Sequence, residues 1–221
     1  MWAVIDSKIP RPYYVPLQLM EITELFSLVV KQFEATTSLE WLGIVTTLAC
    51  IYLAAKEHIL NWPVSIIACG AYAALYYQYK LYGDSYLQIY FLLTAIYGWI
   101  YWIKNKEQHD KPVVSLNSRE GLYTVLAIAI FTLALSKYLD EFTDTDVPYA
   151  DGFCTAMSFV AQFLMTRKVL QNWLLWIIVD ICYVPLLLYK NLAFTALLYL
   201  ILVGLATKGY FDWKKTWKLS Q

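Results

Sequence analysis

The chain has 221 residues, of which 60% are hydrophobic and only 15% charged, with nine Trp, nineteen Tyr and a mean hydropathy of +0.49. That is more apolar surface than a soluble core of this size consumes, and it fits a chain surrounded by lipid. Seventeen basic and seventeen acidic residues cancel to zero formal charge, so there is no basic surface for nucleic acid and that class of partner is excluded.

Residues 1–38 do not read as a signal peptide, because Asp6, Pro10 and Pro12 interrupt the start and no short apolar core precedes a small-residue cleavage site. Within them, Met20, Ile22, Leu25, Phe26, Val29, Val30 and Phe33 fall on one helical face, with Glu21, Glu24 and Lys31 elsewhere. Two placements suit this amphipathic helix: lying on the membrane surface on the extracytoplasmic side, or packed as an arm on the bundle. Seven spans then follow, near 39–55, 62–79, 84–103, 120–137, 152–166, 173–189 and 192–210. Each approaches the roughly 20 residues a membrane-spanning helix needs. The chain is thus expected to be an all-α integral membrane protein.

Basic residues orient the set. With the C-terminus inside, Lys56, Lys104, Lys106, Lys111, Arg119, Arg167, Lys168, Lys208, Lys214, Lys215 and Lys218 are cytoplasmic, eleven against six outside. The acidic loop with Asp140, Glu141, Asp144, Asp146 and Asp151 falls outside, and seven spans place the N-terminus there too.

The sequence also repeats itself at an offset of 111. "YLAAKEHILNW" (52–62) overlies "FLMTRKVLQNW" (163–173), and further along Leu81 overlies Leu192, Leu87 Leu198, Gly98 Gly209 and Trp102 Trp213. The units are an interfacial segment (1–38), a first three-helix repeat (39–103), a linker helix with its loops (104–151), a second repeat (152–213) and a cytoplasmic tail (214–221). Because the second copy starts four spans after the first, the two run in the same direction, a 3+1+3 parallel repeat. Such halves enclose the substrate site of many transporters; a duplicated scaffold protein would show the same pattern.

The sixth span, "NWLLWIIVDICYV" (172–184), contains the residue that most needs explaining. Asp180 lies eight residues past Asn172, about 12 Å into the membrane, where an ionised carboxylate costs at least about 2.5 kcal/mol. Trp173, Trp176, Asp180 and Tyr183 share one helical face. Aromatic faces beside a carboxylate suit an organic cation; a hydrogen-bonded Asp in a packing stripe is the plainer alternative. The repeat equivalents of Trp176 and Asp180 are Ser65 and Cys69.

The third span presents Asp84, Gln88, Phe91 and Ala95 along one stripe, and the amide of Gln88 can donate and accept at once, to a ligand or to a neighbouring helix. Its repeat partner in the seventh span is Tyr199. Tyr76, Tyr77 and Gln78 end the second span at the interface. Lys208 has two options, pairing with Asp180 or snorkelling to the interface. Pro185 is expected to bend the sixth span and free the carbonyl of Ile181. The cysteines, Cys50, Cys69, Cys154 and Cys182, lie in apolar runs without a CxxC spacing, and His58 and His109 lack ligand-spaced partners. No metal and no cofactor is expected.

The segments "NWLLWIIVD" (172–180), "LYGDSYLQ" (81–88) and "YLQIYFLLTAIYGW" (86–99), together with the repeat, resemble the PnuC family of bacterial nicotinamide riboside transporters over about residues 40–215. The resemblance implies a SWEET-like fold, a homotrimer in the bacterial cytoplasmic (inner) membrane, and facilitated diffusion made one-way by phosphorylation of the vitamin inside the cell. It implies that Trp173, Trp176 and Gln88 line the site and that Tyr199 sits at a tyrosine position of the last span. This chain departs from the family pattern at Asp180, where asparagine is expected. Nicotinamide riboside and thiamine both carry a fixed positive charge on an aromatic ring, so the carboxylate suits either. An enzyme is not expected, since no span carries a His, a Ser–His pair or two close carboxylates.

Overall fold

The computed structural model describes residues 22–78, 82–107, 112–143, 145, 147–189 and 191–221. Residues 19–21 of the expected interfacial segment, Leu81, the side chains of Asp84 and Lys106, and Lys111, Asp144 and Asp146 lie outside the described residues. The described residues form eight helices and no strand: α1 (Ile22–Ala35), α2 (Ser38–Ala55), α3 (Asn61–Gln78), α4 (Tyr82–Glu107), α5 (Ser118–Phe142), α6 (Pro148–Thr166), α7 (Asn172–Tyr189) and α8 (Ala193–Leu219). Four of them, α2, α5, α7 and α8, are long and apolar enough to cross a membrane.

The helices start where side chains can satisfy the free backbone amides of a first turn. Thr37 and Glu40 form a reciprocal capping box at α2, and Asn117 and Glu120 form another at α5. Helix α6 begins at Pro148, four residues before the expected edge, because proline's fixed φ and missing N–H cost nothing in a first turn. Helix α8 runs past residue 210 to Leu219, since the residues of "DWKKTWK" tolerate helix and nothing breaks the ladder.

Helix α1 has no buried residue, with Ile22 and Phe26 exposed. Its C-terminal end nevertheless docks: Gln32 donates to the carbonyl of Asn191 at 2.6 Å and accepts from Phe194 N–H at 2.9 Å. Phe33 meets Trp41 and Phe194 edge-on at 5.1 and 5.6 Å. The helix is thus an arm anchored to the bundle at one end, with the apolar side chains Ile22 and Phe26 left outward.

Helix boundaries recur at the sequence offset. Helices α3 and α7 begin at Asn61 and Asn172 and end at Gln78 and Tyr189, while α4 and α8 begin at Tyr82 and Ala193, each pair 111 residues apart. The turns after α2 and α6 match as well. Glu57 and Lys168 adopt left-handed φ of 52° and 54°, and His58 and Val169 return N–H bonds to Leu53 and Leu164, the Schellman way of ending a helix. A non-glycine residue pays about 1 kcal/mol or more for that conformation. Here the two strained residues pair with each other, Lys168 Nζ lying 3.2 Å from a Glu57 carboxylate oxygen.

Within each set the helices pack in order, α2 on α3 on α4 and α6 on α7 on α8, and the sets meet through α2 against α8 and α4 against α6. Contacts across this seam are reciprocal. Trp102 of α4 donates its indole N–H to Thr166 O at 3.1 Å, and Trp213 of α8 donates to Ala54 O at 3.0 Å. Lys56, ending α2, bonds Asp212 of α8 at 3.2 Å; Arg167, ending α6, lies over the Tyr101 ring of α4 at 4.8 Å. One pair of positions makes an ion pair, and its counterpart 111 residues away makes a cation–π contact. The pair between Lys208 and Asp180 is not formed: Lys208 bonds Asp212 at 2.7 Å, one turn along its own helix.

Candidate functional site

A cavity lies along the seam, with an empty volume of about 500 Å³ including the part continuous with solvent. Helices α2 and α3 contribute Cys50, Ile51, Ala54, Asn61, Trp62 and Ser65. Helices α6, α7 and α8 contribute Gln162, Met165, Trp173, Trp176, Asp180, Leu202 and Ala206. The spacing on α7 explains why three of these meet: a helix turn brings Trp173, Trp176 and Asp180 onto one face, and that face is buried.

The two tryptophans at the starts of α3 and α7 are seated by glycine. A methyl carbon on Gly98 would lie 2.4 Å from the Trp62 ring, and one on Gly209 would lie 2.7 Å from the Trp173 ring. Gly98 and Gly209 are themselves repeat equivalents, so each half cuts the same slot for its own indole. Trp62 then meets Trp102 edge-on at 5.3 Å, Trp173 meets Trp213 edge-on at 5.5 Å, and Trp102 and Trp213 meet each other at 6.2 Å. Four indoles form one continuous row across the seam, and two of them, Trp62 and Trp173, line the cavity.

The polar groups of the lining are underused. Asp180 is 2% exposed, its Oδ1 has no hydrogen-bond partner, and no described residue forms an ion pair with it. The indole N–H groups of Trp62 and Trp173 are also buried without acceptors. Asn61 and Asn172 spend their amide N–H groups locally, on the carbonyls of His58 at 2.8 Å and Val169 at 2.6 Å. Among the described residues that line the cavity there is no Lys, Arg or His. A buried carboxylate that lacks a counter-charge costs several kcal/mol. A cation entering the cavity would relieve that cost.

The structure brings Trp173, Trp176 and Asp180 to the cavity, and places Tyr183, Gln88 and Tyr199 outside its lining. Tyr183 and Tyr199 are buried against each other with ring centroids 5.1 Å apart. Gln88 is fully buried with both amide atoms lacking partners; Phe91 and Ala95 of the same stripe are buried too. The cavity residues that sequence reasoning passed over are Cys50, Asn61, Trp62 and Gln162. A signal existed for two of them: Trp62 is the repeat partner of Trp173, and Gln162 is an amide within the apolar run "SFVAQFLM". Among the described residues no group of three His, Cys, Asp or Glu is placed to hold a metal ion.

Apolar helices of membrane-crossing length around a buried, partly polar cavity fit a multi-pass membrane protein with a site for a small molecule. The profile of the nicotinamide mononucleotide transporter family matches residues 37–215, and the chain belongs to that family. It is 28% identical to the nicotinamide riboside transporter PnuC of Escherichia coli, over 79% of this chain and 84% of that one. It is 24% identical to the riboflavin/roseoflavin transporter RibM of Streptomyces davaonensis, over 79% and 83%. The fold matches the crystal structure of the vitamin B3 transporter PnuC with a TM-score of 0.72 at 24% identity, covering 90% of this chain and 92% of that one.

Proposed function

We propose that this protein carries nicotinamide riboside across the bacterial cytoplasmic membrane, with Asp180 neutralising the pyridinium charge and Trp173 and Trp176 walling the ring. The single observation that carries this reading is the buried Asp180 carboxylate, unpaired among the described residues, in an aromatic cavity whose described lining has no basic residue. The same lining disfavours the mononucleotide, whose phosphate would meet a carboxylate and no cation. It also disfavours an uncharged flavin, which would leave Asp180 without a counter-charge. Thiamine, the second reading, is favoured by that same carboxylate because its thiazolium ring is cationic.

In this reading helices α2 to α8 all span the membrane as a 3+1+3 parallel repeat, N-terminus out and C-terminus in, and the chain assembles as a homotrimer in contact with lipid. The contact of Trp102 with Trp213 across the seam and the ion pairs Lys56–Asp212 and Lys168–Glu57 support a cytoplasmic gate between two three-helix halves. Rocking of the halves alternates access to the cavity, transport is facilitated diffusion, and phosphorylation inside the cell traps the vitamin. Tyr183, Tyr199 and Gln88 are buried outside the cavity lining, and would meet the substrate only as the halves move.

The test is calorimetric titration of the purified protein with nicotinamide riboside, its 5′-phosphate, thiamine and riboflavin. Nicotinamide riboside should bind tightest, with the phosphate weaker by roughly a hundredfold or more. Equal affinity for the phosphate would overturn the electrostatic reading, and tighter binding of thiamine would reassign the substrate.

A further inference from the structure

We infer that Gln162 reads the carboxamide of the substrate, so that the cavity recognises its guest at two points, the ring charge at Asp180 and the ring substituent at Gln162. This rests on the reading of nicotinamide riboside as substrate and adds a specificity residue to it. Gln162 lies on α6, is 6% exposed, and lines the cavity together with Trp173, Trp176 and Asp180. Its amide is not committed to any other described residue. An amide that lines the cavity and bonds no described residue keeps its donors and its acceptor for a partner that arrives with the ligand.

The repeat supplies an internal control. The residue 111 positions earlier is Ile51, which lines the same cavity from α2. One half therefore fills this station with a hydrocarbon side chain, and the fold does not need a polar group there. The neighbouring polar side chain on α6 is already used: Ser158 donates to Cys154 O at 2.8 Å. Cys154, Ala161 and Met165 around it are buried and apolar or weakly polar. The amide of Gln162 is thus the group on this helix free to address a guest.

The chemistry of that group selects a partner class. A primary amide presents one acceptor and a donor pair on the same edge, and its best complement is another primary amide, which returns one bond of each kind. Asp180 cannot do this, because an ionised carboxylate only accepts. Hydroxyls of a ribose could take a single bond from Gln162, but would not match both edges at once.

The experiment compares nicotinamide riboside with N-ribosylpyridinium, which keeps the charge and the sugar and lacks the carboxamide, on wild type and Gln162→Leu by calorimetry. Wild type should prefer nicotinamide riboside by roughly tenfold to a hundredfold. Gln162→Leu should bind nicotinamide riboside weaker by a similar factor and bind N-ribosylpyridinium within about twofold of wild type. The wild-type comparison needs no variant, so a misfolded Gln162→Leu protein does not rescue the idea: equal wild-type affinity for the two ligands overturns it. Equal losses for both ligands in the variant would also overturn it, by assigning Gln162 to the sugar or to packing. A wild-type protein with no affinity for nicotinamide riboside defeats the functional reading itself, whereas tight wild-type binding unchanged in the variant defeats Gln162 alone.

Discussion

Replacing Asp180 with alanine is expected to weaken binding of nicotinamide riboside by roughly 30- to 1,000-fold, about 2–4 kcal/mol. The range is that for removing one member of a buried charge pair, where much of the loss is the cost of leaving the other charge in a low-dielectric site. In the empty protein the sign reverses. The carboxylate is 2% exposed with an unpartnered oxygen, so Asp180→Asn should raise the melting temperature of the ligand-free protein while lowering affinity for the cation. A thermal-shift series with and without ligand reads both effects. Weaker binding together with lower ligand-free stability would indicate that Asp180 only packs.

Cutting the tryptophan row carries the second large effect. Trp213→Ala removes a fully buried indole, its edge-on contact with Trp173, its contact with Trp102 and its hydrogen bond to Ala54 O. The expected loss of stability is about 3–5 kcal/mol, the usual cost of truncating a buried aromatic. Trp102→Ala should behave alike, since its indole makes the equivalent bond to Thr166 O. If the row is the cytoplasmic gate, either change should also expose the cavity from that side. Cys50 lines the cavity and is buried, which gives a native reporter once Cys69, Cys154 and Cys182 are replaced. An impermeant maleimide applied to the cytoplasmic face should label it several-fold faster in Trp213→Ala than in the intact protein. Unchanged labelling with intact folding would remove the gate from the row.

Much of this was legible in the sequence where one helix carries the information. Trp173, Trp176 and Asp180 meet because a single period of 3.6 residues puts them on one face, and periodicity is what a sequence displays best. The same periodicity carried Tyr183 onto that face, but the cavity ends before it and Tyr183 packs on Tyr199 instead. How far along a face a cavity reaches is decided by neighbouring helices, which a one-helix pattern does not contain. Gln88 illustrates this from the other side: its burial is visible as an amide in an apolar run, while its distance from the α7 face depends on how α4 packs. The repeat aligned Trp102 with Trp213 and Gly98 with Gly209, yet only three dimensions reveal that two of these indoles touch across the seam and that each glycine houses a ring. Gln162 was missed because an isolated amide has no period, and its meaning came from what it faces. The fate of Lys208 turned on a residue four positions away, Asp212, which offers a nearer and wetter partner than a carboxylate inside the bundle.

The proposed function depends on a fixed positive charge on the guest finding Asp180, the one acidic group among the described residues that line the cavity. The most direct measurement titrates the protein with nicotinamide riboside and with its 1,4-dihydro form, which keeps the sugar and the carboxamide and has a neutral ring. A preference for the cation of roughly tenfold or more, collapsing in Asp180→Asn, is the expected result. Equal affinity for the charged and neutral forms in the unmodified protein would contradict it.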